Sequence, residues 1–250
     1  MSEKIKTYHL VILDKSGSMN HVRQVTLDGL NEQIQSARQS QTDLEDQEQI
    51  ICLTTFNAQV DSNLRWNVSI DDVQDFVEED YVPMGGTALN DAICLSINKL
   101  KEEIEEELYN RKANVMVTIL TDGHENASTQ FSASQAKELV EEVKATGRWT
   151  VSFIGCGDDV FETAASYGIS HGNTLSFAAG AAGTQNAFTT LANSRSVRNA
   201  AYSEVYTSNM GEDEKAAAAS CLNSDASFFN LDIPSETEVE KEKKKKKEKK

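Results

Sequence analysis

Between Tyr8 and Phe177, short runs of branched and aromatic residues alternate with longer segments whose apolar residues recur every three or four positions. Such alternation leaves few architectures open, because a strand followed by an amphipathic helix, repeated, builds crossover units on a parallel sheet. Tyr8 to Leu13 (YHLVIL) is a nearly unbroken apolar run that stops at Asp14, as expected of a strand covered on both faces. Val22 to Arg38 places Val22, Val25, Leu27, Leu30, Ile34 and Ala37 at helical spacing. Gln49 to Phe56 and Gln59 to Trp66 are separated only by Asn57 and Ala58, which predicts a hairpin and hence an antiparallel sheet edge. Asp71 to Glu79 reads as a short acidic helix, and Leu89 to Tyr109 as one long helix carrying Leu89, Ile93, Ile97, Leu100, Ile104 and Leu108 inward. Strands at Val115 to Leu120, Trp149 to Ile154 and Thr174 to Phe177 alternate with helices at Ala136 to Ala145 and Val160 to Tyr167, and Gln185 to Tyr202 is the last helix. The expected fold is α/β, a doubly wound, mostly parallel sheet of about six strands with one antiparallel edge strand and helices on both faces.

The length suits one domain, residues 1–210, followed by a tail over 211–250 that is expected to be flexible and ends in a lysine-rich run. Phe228, Phe229 and Leu231 are its only candidate anchors. Formal charge is -16, yet eight of the 24 basic and two of the 40 acidic residues lie in the last ten, leaving the body at -22. So acidic a body repels phosphate backbones and anionic lipid, which argues against specific nucleic-acid or membrane-surface binding and favours cations. The basic tail is open to three readings: folding back on the body, contact with anionic partners, or a solubilising extension. The run Leu10 to Leu13 is too short for a signal-peptide core, and no run approaches the ~18 apolar residues of a membrane span, so a cytoplasmic location is expected. Cys52, Cys94, Cys156 and Cys221 form no C-x-x-C pair and read as small hydrophobes. Oligomeric state is not written in the sequence.

Chemistry concentrates where predicted strands end. Asp14-Lys15-Ser16-Gly17-Ser18 follows the first strand, Gly85-Gly86-Thr87 precedes the long helix, and Asp122 follows the strand at Val115. In an open parallel sheet such loops converge on one crevice where the strand order reverses. Two carboxylates, Asp14 and Asp122, and three hydroxyls, Ser16, Ser18 and Thr87, make a set of hard oxygen donors without histidine or thiolate. Magnesium suits that set, since it takes octahedral oxygen ligation at ~2.0 to 2.1 Å and keeps several waters. In an extended loop residues two apart face the same way, so Asp14, Ser16 and Ser18 can share one ion. A metal with few direct protein charges seeks an anionic oxygen from outside, such as a partner's aspartate or glutamate. The bland alternative is a strand-to-helix loop in which a serine caps the next helix.

These segments, Asp14-Lys15-Ser16-Gly17-Ser18-Met19, Gly86-Thr87-Ala88-Leu89 and Leu120-Thr121-Asp122-Gly123, resemble the metal-ion-dependent adhesion site of the von Willebrand factor A domain family. The resemblance runs roughly from Thr7 to Phe177 and is to stand-alone intracellular bacterial members. It implies a Rossmann-like fold, hydroxyl ligation of Mg2+ or Mn2+ by Ser16, Ser18 and Thr87, and direct or water-mediated ligation by Asp14 and Asp122. It also implies protein binding rather than catalysis. The alternative, a magnesium-dependent phosphoryl-transfer or hydrolytic enzyme on the same site, lacks support: no G-x-x-x-x-G-K-[ST] loop and no G-x-S-x-G elbow occurs, and Ser16 stands where an aspartyl-phosphate enzyme would carry a second aspartate. His124 is expected at the rim of the site or as a solvated loop residue, and His9, His21 and His171 as structural residues.

Overall fold

The computed structural model describes residues 4–223 and 228–229. Six strands, β1 (Ile5–Asp14), β2 (Gln47–Phe56), β3 (Val60–Ser69), β4 (Ala113–Thr121), β5 (Trp149–Cys156) and β6 (Thr174–Phe177), form one sheet in the order β3-β2-β1-β4-β5-β6. Every neighbouring pair is parallel except the β2–β3 hairpin at the edge. The helices are α1 (Arg23–Asp43), α2 (Leu89–Glu103), α3 (Glu105–Tyr109), α4 (Ala133–Ala145), α5 (Val160–Ser166), α6 (Ala181–Thr207) and α7 (Glu212–Asn223). The chain leaves β1 toward β2 and later returns to β4 on the other side of β1. The carboxyl ends of β1 and β4 therefore flank the switch point.

Alternation along each strand feeds two cores. Tyr8, Leu10 and Ile12 join Val115, Val117 and Ile119 under Leu89, Ile93 and Ile97 of α2 and Val140 of α4. On the opposite face Val11, Leu13, Met116 and Leu120 meet Leu27, Leu30 and Ile34 of α1 and Phe188 and Leu191 of α6. Each such side chain contributes ~1.5–3 kcal/mol by leaving water. Toward the amino ends of the strands this second face turns polar while staying buried. His9 meets Gln49 Oε1 at 2.7 Å, Arg195 of α6 donates to Thr118 Oγ1 (2.9 Å) and Gln33 Oε1 (3.2 Å), and Gln47 donates to the Asn199 carbonyl (2.6 Å). Hydrogen bonds thus join the apolar contacts of Tyr202 and Tyr206 in fixing the C-terminal half of α6.

Three expectations are corrected. Asp71 to Glu79 is not an α-helix: after a turn it runs extended into a 3-10 turn at Glu78–Asp80, because Asn31 of α1 takes both the Phe76 N–H (2.7 Å) and its carbonyl (3.0 Å). The helix expected to run unbroken to Tyr109 breaks at Ile104 (φ -114°, ψ 20°), which is itself buried. An unbroken helix would stack Glu102 on Glu106 and Glu103 on Glu107, and like charges at that spacing repel. Beyond residue 210, where a flexible tail was expected, Glu212–Asn223 forms α7 against α6. Its Asn223 accepts from Thr150 (2.6 Å) and Tyr202 (2.5 Å), and Phe228 is fully buried beside the Arg198 guanidinium. Leu231 and the lysine-rich run lie outside the described residues.

Candidate metal centre

Asp14 is the last residue of β1 and is fully buried. Its Oδ1 accepts the Ser16 N–H at 2.6 Å, its Oδ2 accepts the Thr121 hydroxyl at 2.5 Å, and its backbone oxygen accepts the Tyr81 hydroxyl at 2.7 Å. Ser16 precedes a 3-10 turn, Gly17–Val22, with extended backbone (φ -71°, ψ 168°), and its side chain caps nothing. The Ser16 hydroxyl instead lies 3.0 Å from the Ser18 hydroxyl, which donates to Asp122 Oδ1 at 2.6 Å. The expected alternation of Asp14, Ser16 and Ser18 is thus present, and the capping alternative is not.

Thr87 arrives from the other side. Its N–H donates to Asn126 Oδ1 (2.9 Å), and its carbonyl accepts the N–H groups of Asn126 (3.0 Å) and Ala127 (3.2 Å). Glu125 accepts from the N–H groups of Asn90, Ala127 and Ser128, while Asp91 accepts from Thr129, Gln130 and Phe131, which fastens the loop after β4 to the start of α2. The loop before Thr87 is fastened to the metal loop through Gly17 N–H to Gly85 O (3.1 Å) and Met84 N–H to Lys15 O (2.8 Å). A methyl built on Gly123 would lie 3.1 Å from Thr87 Oγ1 and 3.5 Å from both Asp14 Oδ2 and Ser18 Oγ. Oxygens of the loop after β1 and of Thr87 therefore face one small space beside Gly123, and the Ser18 hydroxyl ties Asp122 of the third segment to them. All five residues singled out in the sequence are brought together.

The electrostatics fit a cation. Burial raises the Asp14 carboxyl pKa above its usual range and the nearby Asp122 charge adds to this, while hydrogen bonds from Thr121 and Ser16 oppose it. Burial, with the charges of Asp14 and Asp122, pushes the Tyr81 phenol far above its ordinary value. Neither carboxylate meets a lysine or arginine among the described residues, and the nearest basic group to Asp122 is His21, Nδ1 to Oδ2 3.8 Å. A hard divalent cation suits this donor set better than a soft metal. Among the described residues no three His, Cys, Asp or Glu side chains gather where they could hold a metal ion, so this donor set depends on its hydroxyls as well as its two carboxylates. His124 is exposed at the rim, 3.5 Å from Asp159. Sequence reasoning missed Thr121, Tyr81, Asn126, Glu125 and Asp91. Only Thr121 left a signal, a hydroxyl directly before Asp122 at the end of an apolar strand.

No family model matches the sequence, and no curated protein matches it. Solved structures do resemble the fold. The pilus adhesin SpaC from Lactobacillus rhamnosus GG, in its open conformation, is 14% identical with a TM-score of 0.58, over 80% of this chain and 31% of that one. The vWF domain of the type V pili tip protein Mfa5 from Porphyromonas gingivalis is 9% identical with a TM-score of 0.53, over 78% and 97%. Proximal thread matrix protein 1 from the mussel byssus, with a zinc-occupied MIDAS motif, is 14% identical with a TM-score of 0.50, over 78% and 46%. The chain thus spans less than half of the matrix protein and about a third of the adhesin. These likenesses show the fold, that of the von Willebrand factor A domain.

Proposed function

We propose, from a von Willebrand factor A-type fold whose switch-point loops converge as described, that the protein is a divalent-cation-dependent protein-binding module. Asp14, Ser16, Ser18, Thr87 and Asp122 would hold Mg2+ or Mn2+, and the metal when bound supplies a positive centre that accepts an oxygen of a partner's aspartate or glutamate. The single observation that carries this reading is the gathering of Thr87 Oγ1, Asp14 Oδ2 and Ser18 Oγ around the space in front of Gly123. The chain's own residues do the remaining work. Thr121 and the Ser16 N–H orient the Asp14 carboxylate, Ser18 orients Asp122, and Asn126 sets the height of Thr87. A matrix protein of similar fold with zinc in a MIDAS motif supports divalent metal at such a site.

A role without catalysis is part of the proposal. His21 Nδ1 meets the backbone oxygen of Ser18 at 2.6 Å rather than its hydroxyl, so neither serine is paired with a histidine base among the described residues. A cytoplasmic setting is likewise proposed, in which the thiols of Cys52 and Cys94, buried in the core, behave as small hydrophobes. The test is calorimetric titration of Mg2+ and Mn2+ into EDTA-stripped protein beside Asp14→Ala. Saturable binding that the variant lacks is expected, and equal heats from both proteins would refute the proposed ligand set.

A further inference from the structure

The surface around the candidate metal centre is chemically two-sided. On one side Val82-Pro83-Met84 runs along the metal loop, held by Met84 N–H to Lys15 O (2.8 Å) and by Asn20 Nδ2 to Pro83 O (3.2 Å). Pro83 is buried, yet Val82 and Met84 are 49% and 61% exposed. A backbone fixed on both flanks thus holds two large apolar side chains in water beside the centre. On the other side the turn after β5 presents exposed Asp158 and Asp159, and Asp159 borders the same small cavity as Asp122 and Gly123.

The spacing sets a scale. Met84 is three residues from Thr87 and His124, which meets Asp159 at 3.5 Å, is two residues from Asp122. Along the chain these separations are at most ~10 and ~7 Å. An extended segment advances ~3.3 Å per residue, so Met84 comes within about three positions of a residue seated at the centre, and Asp159, across the small cavity it shares with Asp122, lies at comparable reach.

We infer that the centre recognises an acidic side chain in an extended segment that carries a large apolar residue within three positions on one side and a lysine or arginine within three on the other. The apolar residue covers Val82 and Met84, and the basic one answers Asp158 and Asp159. The inference rests on the carboxylate-capturing reading of the centre. Consecutive acidic residues are disfavoured, because they bring like charge against Asp158 and Asp159 and against a body of charge -22, which is the overall -16 less the final ten residues' eight lysines and two glutamates.

The test is selection of a displayed random nonapeptide library on the full chain loaded with Mn2+, with elution by EDTA. Enriched peptides are then measured by fluorescence anisotropy against wild type, Met84→Ser and the pair Asp158→Asn with Asp159→Asn. Eluted sequences are expected to hold an acidic residue flanked by apolar on one side and basic on the other. Met84→Ser should weaken them about tenfold yet leave unchanged a peptide whose apolar residue is already serine. The double asparagine variant should weaken them about threefold in low salt and erase the preference for a basic neighbour. Enrichment of an acidic residue with neither neighbour would overturn this inference and leave the metal-capture reading standing. Peptides that bind equally in EDTA, or an EDTA eluate without acidic enrichment, would overturn that reading and this inference with it.

Discussion

Replacing Gly123 with alanine separates the shape of the cation's cradle from the stability of the fold. The added methyl meets Thr87 Oγ1 at 3.1 Å, a few tenths short of ordinary contact, and Asp14 Oδ2 and Ser18 Oγ at 3.5 Å, which is ordinary. A small rotation of one side chain relieves the first, so the expected cost to the fold is below about 1 kcal/mol. The cation fares differently. It needs its oxygens at ~2.0 to 2.1 Å, with space left over for water or a partner's carboxylate, and the methyl fills the space those oxygens face. Losing one or two charge-assisted contacts of ~1.5–3 kcal/mol each removes about 3 kcal/mol, more than a hundredfold in Kd. Gly17→Ala is the control: in the metal loop, a methyl there meets only Gly85 O at 3.5 Å and Gly85 N at 3.8 Å. Manganese titrations by calorimetry, paired with thermal melts in EDTA, give both quantities. Binding by Gly123→Ala as tight as wild type, or an equal loss in Gly17→Ala, would refute the reasoning.

Three further outcomes follow from particular contacts. Burial, reinforced by the Arg195 charge, lowers the His9 pKa to about 3, against 6.5 in the unfolded chain. The unfolded state therefore takes up a proton below pH 6.5 that the folded state refuses down to about pH 3, and stability falls as pH drops through that window. Urea melts should show about 1.4 kcal/mol lost from this group between pH 7.5 and 5.5, and His9→Gln should lack that increment. Asn126→Ala removes the acceptor of the Thr87 N–H while keeping every proposed ligand, and should weaken manganese about tenfold in calorimetry beyond the ~1 kcal/mol of stability that the lost hydrogen bond costs in EDTA. Phe228→Ala empties a fully buried ring site against Arg198 and should cost about 3 kcal/mol in urea, whereas an unchanged midpoint would mean that the ring does not pack against α6.

Fold and site differed in legibility according to the range of the interactions that make them. The strands of the sheet and the hairpin edge were readable because β1, β4 and β5 are covered on both faces and announce themselves as apolar runs. Asp71 to Glu79 was misread because its backbone is claimed by Asn31 on another element, a fact that no local periodicity contains. The break at Ile104 was hidden by an apolar pattern that continues through it. The five clustered oxygens were legible as short motifs at strand ends, but the residues that hold them were not: Asn126 and Tyr81 act across 39 and 67 positions of sequence. The polar half of the α6 interface was also hidden, since glutamines, threonines and an arginine look exposed until the sheet beneath them is known.

That polar interface and the metal centre solve opposite problems. Under α6 the buried groups find protein partners for part of their polar atoms, Arg195 with Gln33 and Thr118 and Gln47 with Asn199, while Arg195 Nε, Asn199 Oδ1 and His9 Nδ1 have none among the described residues. Beside Gly123 two carboxylates are drawn together with hydroxyls and N–H groups as partners and no lysine or arginine among the described residues, so repulsion and desolvation are left uncancelled. A cation supplied from outside would relieve both at once, and because the unfolded chain cannot assemble the site, whatever it relieved would be returned as stability. At a hundred times Kd the gain is ~2.7 kcal/mol, on the order of 5–10 °C in Tm for a domain of this size. The same imbalance explains why a bound cation would remain receptive to a partner. The site would contribute few formal charges to it, and the Ser16 N–H and the Thr121 and Ser18 hydroxyls already share those of Asp14 and Asp122.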